Sequence, residues 1–291
     1  MKRFQLSFAL VFALLLCTSM WAQNAYTFQT INYPNDTFTQ LLGINNSLLI
    51  AGYHNADQNS GFTLRLPFNF TTENFPNSMM TQVIGINNMG TTDGFFVDNN
   101  GNTHGFYAND GRYTVVDYPQ TAFNQLLGQN DMGQASGYYS LSQDNSTPDF
   151  PYVYDEMGGV FQVIAIPAAV GGAQATGINN SQQICGFYID GNGVNHGFLL
   201  NFGLLVTLDA PGSTFTQALG LNNKGQVVGS YTDANGNGHG FVWTSAGGFK
   251  TIDDPKGIGT TLINGINDKG VLVGFYVDQD GNTDGLIAFP Q

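Results

Sequence analysis

The chain has 291 residues, of which 42% are hydrophobic and only 10% charged, with 38 glycines and a formal net charge of -13 at pH 7. So acidic a surface repels phosphate backbones and anionic lipid, which argues against nucleic-acid and membrane-surface roles. With two cysteines, Cys17 and Cys185, and the first in the N-terminal leader described next, an internal disulfide framework is excluded.

Residues 1–22 stand apart. Lys2 and Arg3 make a positive start, 4–17 is almost continuously apolar, and polarity returns before Ala22. This predicts a secretory signal peptide, because the apolar run falls short of the roughly 20 residues that span a bilayer. Its removal takes two positive charges, leaving a net charge of -15 and six basic residues: Arg65, Arg112, Lys224, Lys250, Lys256 and Lys269. The expected compartment is secreted or periplasmic, with no membrane span. Cys185, between Ile184 and Gly186 in an apolar run, reads as a buried, inert thiol.

From there the chain repeats. A glycine recurs at Gly43, Gly85, Gly128, Gly177, Gly220 and Gly265, each followed two residues on by an asparagine: Asn45, Asn87, Asn130, Asn179, Asn222 and Asn267. A second glycine follows nine residues after the first in all six units, from Gly52 to Gly274. Within the fifth unit, alternation and turn residues predict four strands: 216–222, 226–232, 239–244 and 249–252. The intervening Asn222-Asn223-Lys224-Gly225 is a tight turn in which glycine supplies the positive φ. Four antiparallel strands repeated at a period of 40 to 50 residues predict a propeller blade. The sixth unit stops after three strands, and its missing fourth matches the N-terminal run from Phe28 to Pro34. An N-terminal strand that completes the last blade would close the ring and remove an exposed sheet edge. The expected fold is therefore all-β: a six-bladed β-propeller as a single domain, 23–291, with repeats near 35–76, 77–118, 119–167, 168–210, 211–254 and 255–291 plus 26–34.

The runs GINNMG, GLNNKGQVVGSY and GINDKGVLVGFY, followed by His-Gly-Phe at His104, His196 and His239, resemble the extracellular repeats of the HAF family. The resemblance covers the whole processed chain. It departs in having Gly where the family name has Ala, in Ser60-Gly61-Phe62 and Asp284-Gly285-Leu286 where the histidine is absent, and in the third unit, which has neither. It implies a secreted repeat protein and supplies no catalytic residue.

Candidate chemistry follows from geometry. The turns between second and third strands share one face with the crossings to the next blade, and that face collects most of the aspartates. The three motif histidines open third strands about 10 Å outward from the innermost strand, whereas zinc holds nitrogen at about 2 Å. They are expected to be structural, each hydrogen-bonding its own turn. Asp278, Asp280 and Asp284 are the candidate calcium ligands, although the glycine of that turn comes two places early for an EF-hand and no terminal Glu follows; no other cofactor is implied. No serine lies in a nucleophile-elbow context, and the only glutamates, Glu73 and Glu156, lie in different units.

What recurs in every unit serves the fold, and what occurs once is free to serve function. The singular features are an insertion in the third unit, 140–149, with Tyr138, Tyr139, Asp149, Tyr152 and Tyr154 in or around it, the Arg65-Leu66-Pro67-Phe68 stretch, and Trp243. Aromatics beside acids and amides at a propeller mouth suit sugar or peptide binding, so Tyr138, Tyr139, Asp149 and Tyr152 are the candidate binding site. The expected function is a secreted, monomeric binding module for a glycan or protein ligand; the alternative is an extracellular hydrolase or lyase with an axial active site.

Overall fold

In the computed structural model the described residues are 26–121, 123–144 and 146–291; the expected signal peptide, 1–22, lies outside them. The structure is an all-β propeller, with no helix among the described residues. Strand β1 is Tyr26–Thr30, and β2 (Thr39–Ile44), β3 (Leu49–His54), β4 (Ser60–Arg65) and β5 (Asn69–Thr72) form the first up-and-down sheet. Strands β6 (Met80–Ile86), β7 (Thr92–Val97), β8 (Thr103–Asn109) and β9 (Arg112–Val116) pair in the same order. So do β10 (Phe123–Gln129), β11 (Gln134–Ser140), β12 (Asp149–Asp155) and β13 (Val160–Val163), joined to the preceding group by one parallel bridge, Phe123 opposite Thr103. Two further sheets follow: β14 (Gly172–Ile178) with β15 (Ile184–Ile189), β16 (Asn195–Asn201) and β17 (Leu204–Leu208), then β18 (Phe215–Leu221) with β19 (Val227–Thr232), β20 (Gly238–Thr244) and β21 (Gly248–Ile252). The last sheet is β22 (Thr261–Ile266), β23 (Leu272–Val277), β24 (Thr283–Pro290) and, on its outer edge, β1. Phe28 lies opposite Ala288 and Thr30 opposite Leu286, so the N-terminal strand covers the edge that the C-terminal sheet would otherwise expose.

Adjacent sheets meet through the third-strand aromatic of the repeat. Phe62, Phe106, Tyr152, Phe198 and Phe241 are fully buried, each stabilising the fold by roughly 1.5–3 kcal/mol. The second repeat glycine is needed because the carbonyl of the paired inner strand crosses it closely: a methyl group at Gly229 would run into the Gln217 carbonyl oxygen and fall 2.8 Å from the Phe241 ring.

The innermost strands β2, β6, β10, β14, β18 and β22 surround the axis, and three cyclic contacts tie them together. At the first repeat glycine neighbouring backbones touch: a methyl group at Gly43 would lie 3.1 Å from the Gly85 Cα, one at Gly85 3.1 Å from Gly128, and the series returns from Gly265 to Gly43 at 3.4 Å. Two residues on, Asn45 donates its side-chain amide to the Asn87 carbonyl at 3.0 Å; the same bond links Asn87 to Asn130, Asn130 to Asn179, Asn179 to Asn222, Asn222 to Asn267 and Asn267 back to Asn45. One residue further, each backbone N–H donates to the next unit's side chain, from Asn46 to Asn88, Asp131, Asn180, Asn223, Asp268 and round to Asn46. The same asparagines cap their own turns: Asn87 Oδ1 accepts from the N–H groups of Met89 and Thr91. Every polar atom of these buried side chains is thereby engaged, as burial requires.

Candidate functional site

The inner strands all run from the blade-crossing end to the asparagine end, and each carries a bulge one residue before its first glycine. The bulge turns the extra residue toward the axis: Leu42, Ile84, Leu127, Thr176, Leu219 and Asn264 all line one axial cavity of about 390 Å3. Two residues earlier, at the crossing end, the same cavity is ringed by Gln40, Gln82, Gln125, Gln174 and Gln217. Leu262 holds the corresponding position in β22. Tyr53, Phe95 and Phe187 complete the wall from the second strands. At the far end a layer of Ile44, Ile86, Ile178, Leu221, Ile266 and Gln129 separates this cavity from a smaller one of about 70 Å3 inside the asparagine cycles.

The cavity therefore has an amide collar at its acidic mouth and an aliphatic well beneath. Its volume lies within the range of roughly 300–1,000 Å3 that accommodates small ligands. The collar is not uniform. Gln40 accepts from the Tyr53 hydroxyl at 2.9 Å, Gln82 donates to Asn59 at 2.6 Å and Gln174 donates to Asp149 at 2.7 Å. Among the described residues, no side-chain hydrogen bond engages Gln125 or Gln217.

Of the residues singled out from sequence, Asp149 and Tyr138 come together at Gln174. Asp149 ends the third-unit insertion and is half-buried; burial raises its pKa, and the bond from Gln174 offsets part of that. Burial, with Asp149 adding to it, pushes the Tyr138 hydroxyl far up. Tyr139 and Tyr152 are placed elsewhere. Tyr139 stacks on Tyr118 with centroids 3.9 Å apart. Tyr152 is fully buried, its hydroxyl donating to Asn124 at 2.8 Å. Both belong to the aromatic interior around β10–β13.

The three candidate calcium ligands do not converge. Asp278 spends Oδ1 on the N–H groups of Asp280 and Asn282 and Oδ2 on the Asn282 side chain, while Asp284 faces Asn32 at 2.6 Å. Among the described residues no group of three or more His, Cys, Asp or Glu is arranged to hold a metal.

The motif histidines are each held between two carboxylates. His104 Nδ1 contacts Asp117 at 2.7 Å and Nε2 lies 3.5 Å from Asp98; His239 repeats this with Asp253 at 2.9 Å and Asp233 at 3.5 Å, and His196 with Asp209 and Asp190. The shorter contact is to the blade crossing, with the turn aspartate behind it. His239 is burdened by burial, yet Asp253 and Asp233 outweigh this and raise its pKa. His54, which the repeat pattern leaves out, is stacked on Tyr33 at 3.5 Å and contacts Asp36 at 2.8 Å.

Sequence reasoning passes over the glutamine collar, although its signal is simple: a glutamine three residues before the repeat glycine in five of six units.

No protein-family model matches the chain, and no curated protein matches it in sequence. Solved structures do match in fold. A gluconolactonase from Xanthomonas campestris aligns with a TM-score of 0.60 at 11% identity, covering 93% of this chain and 92% of that one. A six-bladed fucose-recognising lectin from Aleuria aurantia aligns with a TM-score of 0.55 at 8% identity, covering 86% and 92%. TolB from Acinetobacter baumannii aligns with a TM-score of 0.57 at 10% identity, covering 87% and 63%. These likenesses define the class, a β-propeller, and at such identities they carry the fold alone.

Proposed function

We propose that the chain is a secreted, six-bladed, HAF-type propeller that binds an uncharged carbohydrate in its axial cavity. The observation that carries this reading is the collar of five glutamine amides, with aromatic side chains beside it, around a cavity of about 390 Å3. Amides match the mixed donors and acceptors of sugar hydroxyls, and aromatic faces pack against sugar C–H surfaces. The cavity lining is made of amide, aliphatic, aromatic, threonine and glycine residues; an axial hydrolase or lyase would draw on a carboxylate or histidine there. The surrounding acidic face disfavours anionic sugars.

A glycan array probed with residues 23–291, followed by calorimetric titration of the strongest ligand, tests the reading. The expected result is binding to neutral glycans with an affinity that changes little between low and physiological salt. Binding confined to anionic glycans or to peptides, or turnover of the glycan, would overturn it.

A further inference from the structure

The axial cavity is polar at one end and apolar at the other, and its polar end is lopsided. Gln125, Gln174 and Gln217 come from three consecutive inner strands, β10, β14 and β18. Gln125 and Gln217 have no side-chain hydrogen bond among the described residues. Gln174 between them is oriented by Asp149, to which it donates at 2.7 Å, with the Tyr138 hydroxyl also within its hydrogen-bonding reach. Across the ring, Gln40 and Gln82 are engaged by Tyr53 and Asn59, and the sixth position is Leu262. Unmet amide capacity is therefore gathered on the arc beside the third-unit insertion. Below the collar the bulge residues Leu42, Ile84, Leu127 and Leu219 present aliphatic surface to the axis.

We infer that the ligand is an uncharged amphiphile held head-up: a hydroxyl-bearing sugar on Gln125, Gln174 and Gln217, with an apolar aglycone or substituent running down the axis among the bulge residues. This rests on the carbohydrate reading above and adds the ligand's orientation and second half. A polar group sent down the axis would meet the four aliphatic bulge side chains beside Thr176 and Asn264, whose donors are already given to the Ala218 and Leu41 carbonyls, whereas each methylene buried there strengthens binding roughly fourfold.

The repeat itself supplies conservative test variants. Leu262 already occupies the collar position and Thr176 the bulge position, so Gln125→Leu, Gln217→Leu and Leu127→Thr each install a residue that another unit carries at the same place. Methyl and hexyl glycosides of glucose, galactose and mannose are titrated calorimetrically into the parent and the variants, with thermal melting as the folding control. For the sugar that binds, the hexyl glycoside is expected to bind at least tenfold tighter than the methyl glycoside. Gln125→Leu and Gln217→Leu should weaken both glycosides by a similar factor of roughly five to twenty, the range of a hydrogen bond lost to a polar ligand group, and Leu127→Thr should reduce the chain-length gain alone. Equal affinity for methyl and hexyl glycosides, lost together in the glutamine variants, would overturn the head-up inference and leave the carbohydrate site standing. Affinity indifferent to Gln125 and Gln217 would overturn the proposed arc. No binding of any of the glycosides would overturn both readings.

Discussion

Asn267 donates its side-chain amide to the carbonyl oxygen of Asn45, 3.1 Å away and 222 residues distant in sequence. That bond joins the last unit to the first and makes the other five of its kind into a cycle. Asn267 also caps its own turn, with Oδ1 accepting from Lys269 and Val271. Asn267→Ala deletes all three bonds and leaves buried backbone groups unpaired, so it is expected to cost about 2–4 kcal/mol of unfolding free energy. Lys269→Ala, in the same turn, should cost less than about 0.5 kcal/mol. Urea unfolding checks the pair, and equal effects would remove the cycle's energetic role.

Asp93 gives the fold a pH dependence. It is fully buried, with Tyr107 directly opposite on β8; Asp93 Oδ2 and the Tyr107 hydroxyl are both without a partner among the described residues. Burial raises the carboxyl to about 7, partly offset by hydrogen bonds from Gln129 and its own backbone. Burial raises the Tyr107 hydroxyl, and the charges of Asp93 and of the exposed Glu156 add to it. Below about 4 the group is protonated in both folded and unfolded chains and contributes nothing. Between there and about 7 the unfolded chain ionises first, so stability falls as pH rises, and above 7 the penalty is constant. Asp93→Asn is expected to be more stable than the parent at pH 8 by on the order of 3–4 kcal/mol, with the difference vanishing near pH 3.5. A difference independent of pH would contradict this assignment.

The histidine position shows paired exchange within one chain. Where His239 meets Asp253, the sixth unit places Asp284 against Asn32 and the first places Ser60 against Asn74, so both departures keep a hydrogen-bonded couple. His239→Asp sets two carboxylates face to face and should destabilise the protein by about 1–2 kcal/mol. Adding Asp253→Asn recreates the sixth-unit couple and is expected to recover at least half of that loss. In the parent, the raised pKa of His239 stabilises the fold at pH values below the unfolded histidine pKa, and the contribution is lost as pH rises through the folded one. Chemical unfolding of the two variants at pH 5 and pH 8 tests both statements.

Replacing 142–148 with an Asn-Gly turn should leave the melting temperature within a few degrees, because this loop is held mainly by its own short contacts, Ser140 and Ser142 to Thr147. Ligand affinity should nevertheless fall, since the loop delivers Asp149 to Gln174. Undiminished affinity in a folded variant would separate the insertion from the site.

The repeat glycines were legible because they mark backbone contacts that no side chain permits, and such positions leave an unbroken register. The asparagines were legible only in part. Their turn-forming half is local and visible, whereas five of the cyclic bonds join residues 42 to 49 apart and the sixth joins residues 222 apart, so the ring is needed to see them. Gln125 shares its repeat position with four other glutamines, a regularity that marks the collar but not that it faces a cavity, whereas Asp93 stands alone where other units carry Ala51, Cys185 and Val228, and strand pattern gives no sign that it faces a dry interface. Tyr152 had the composition of a binding aromatic, but its place in β12 is the one that Phe106 and Phe198 fill in other sheets, the buried core.

The most direct test of the account is a crystal structure of residues 23–291 with the strongest neutral glycan from the array. The account predicts difference density on the axis, with sugar oxygens within hydrogen-bonding distance of Gln125 and Gln217 and the apolar end toward Leu42 and Leu127. Density on the asparagine face near Lys224 and Lys269, or on an outer sheet edge with the axial cavity unoccupied, would contradict it.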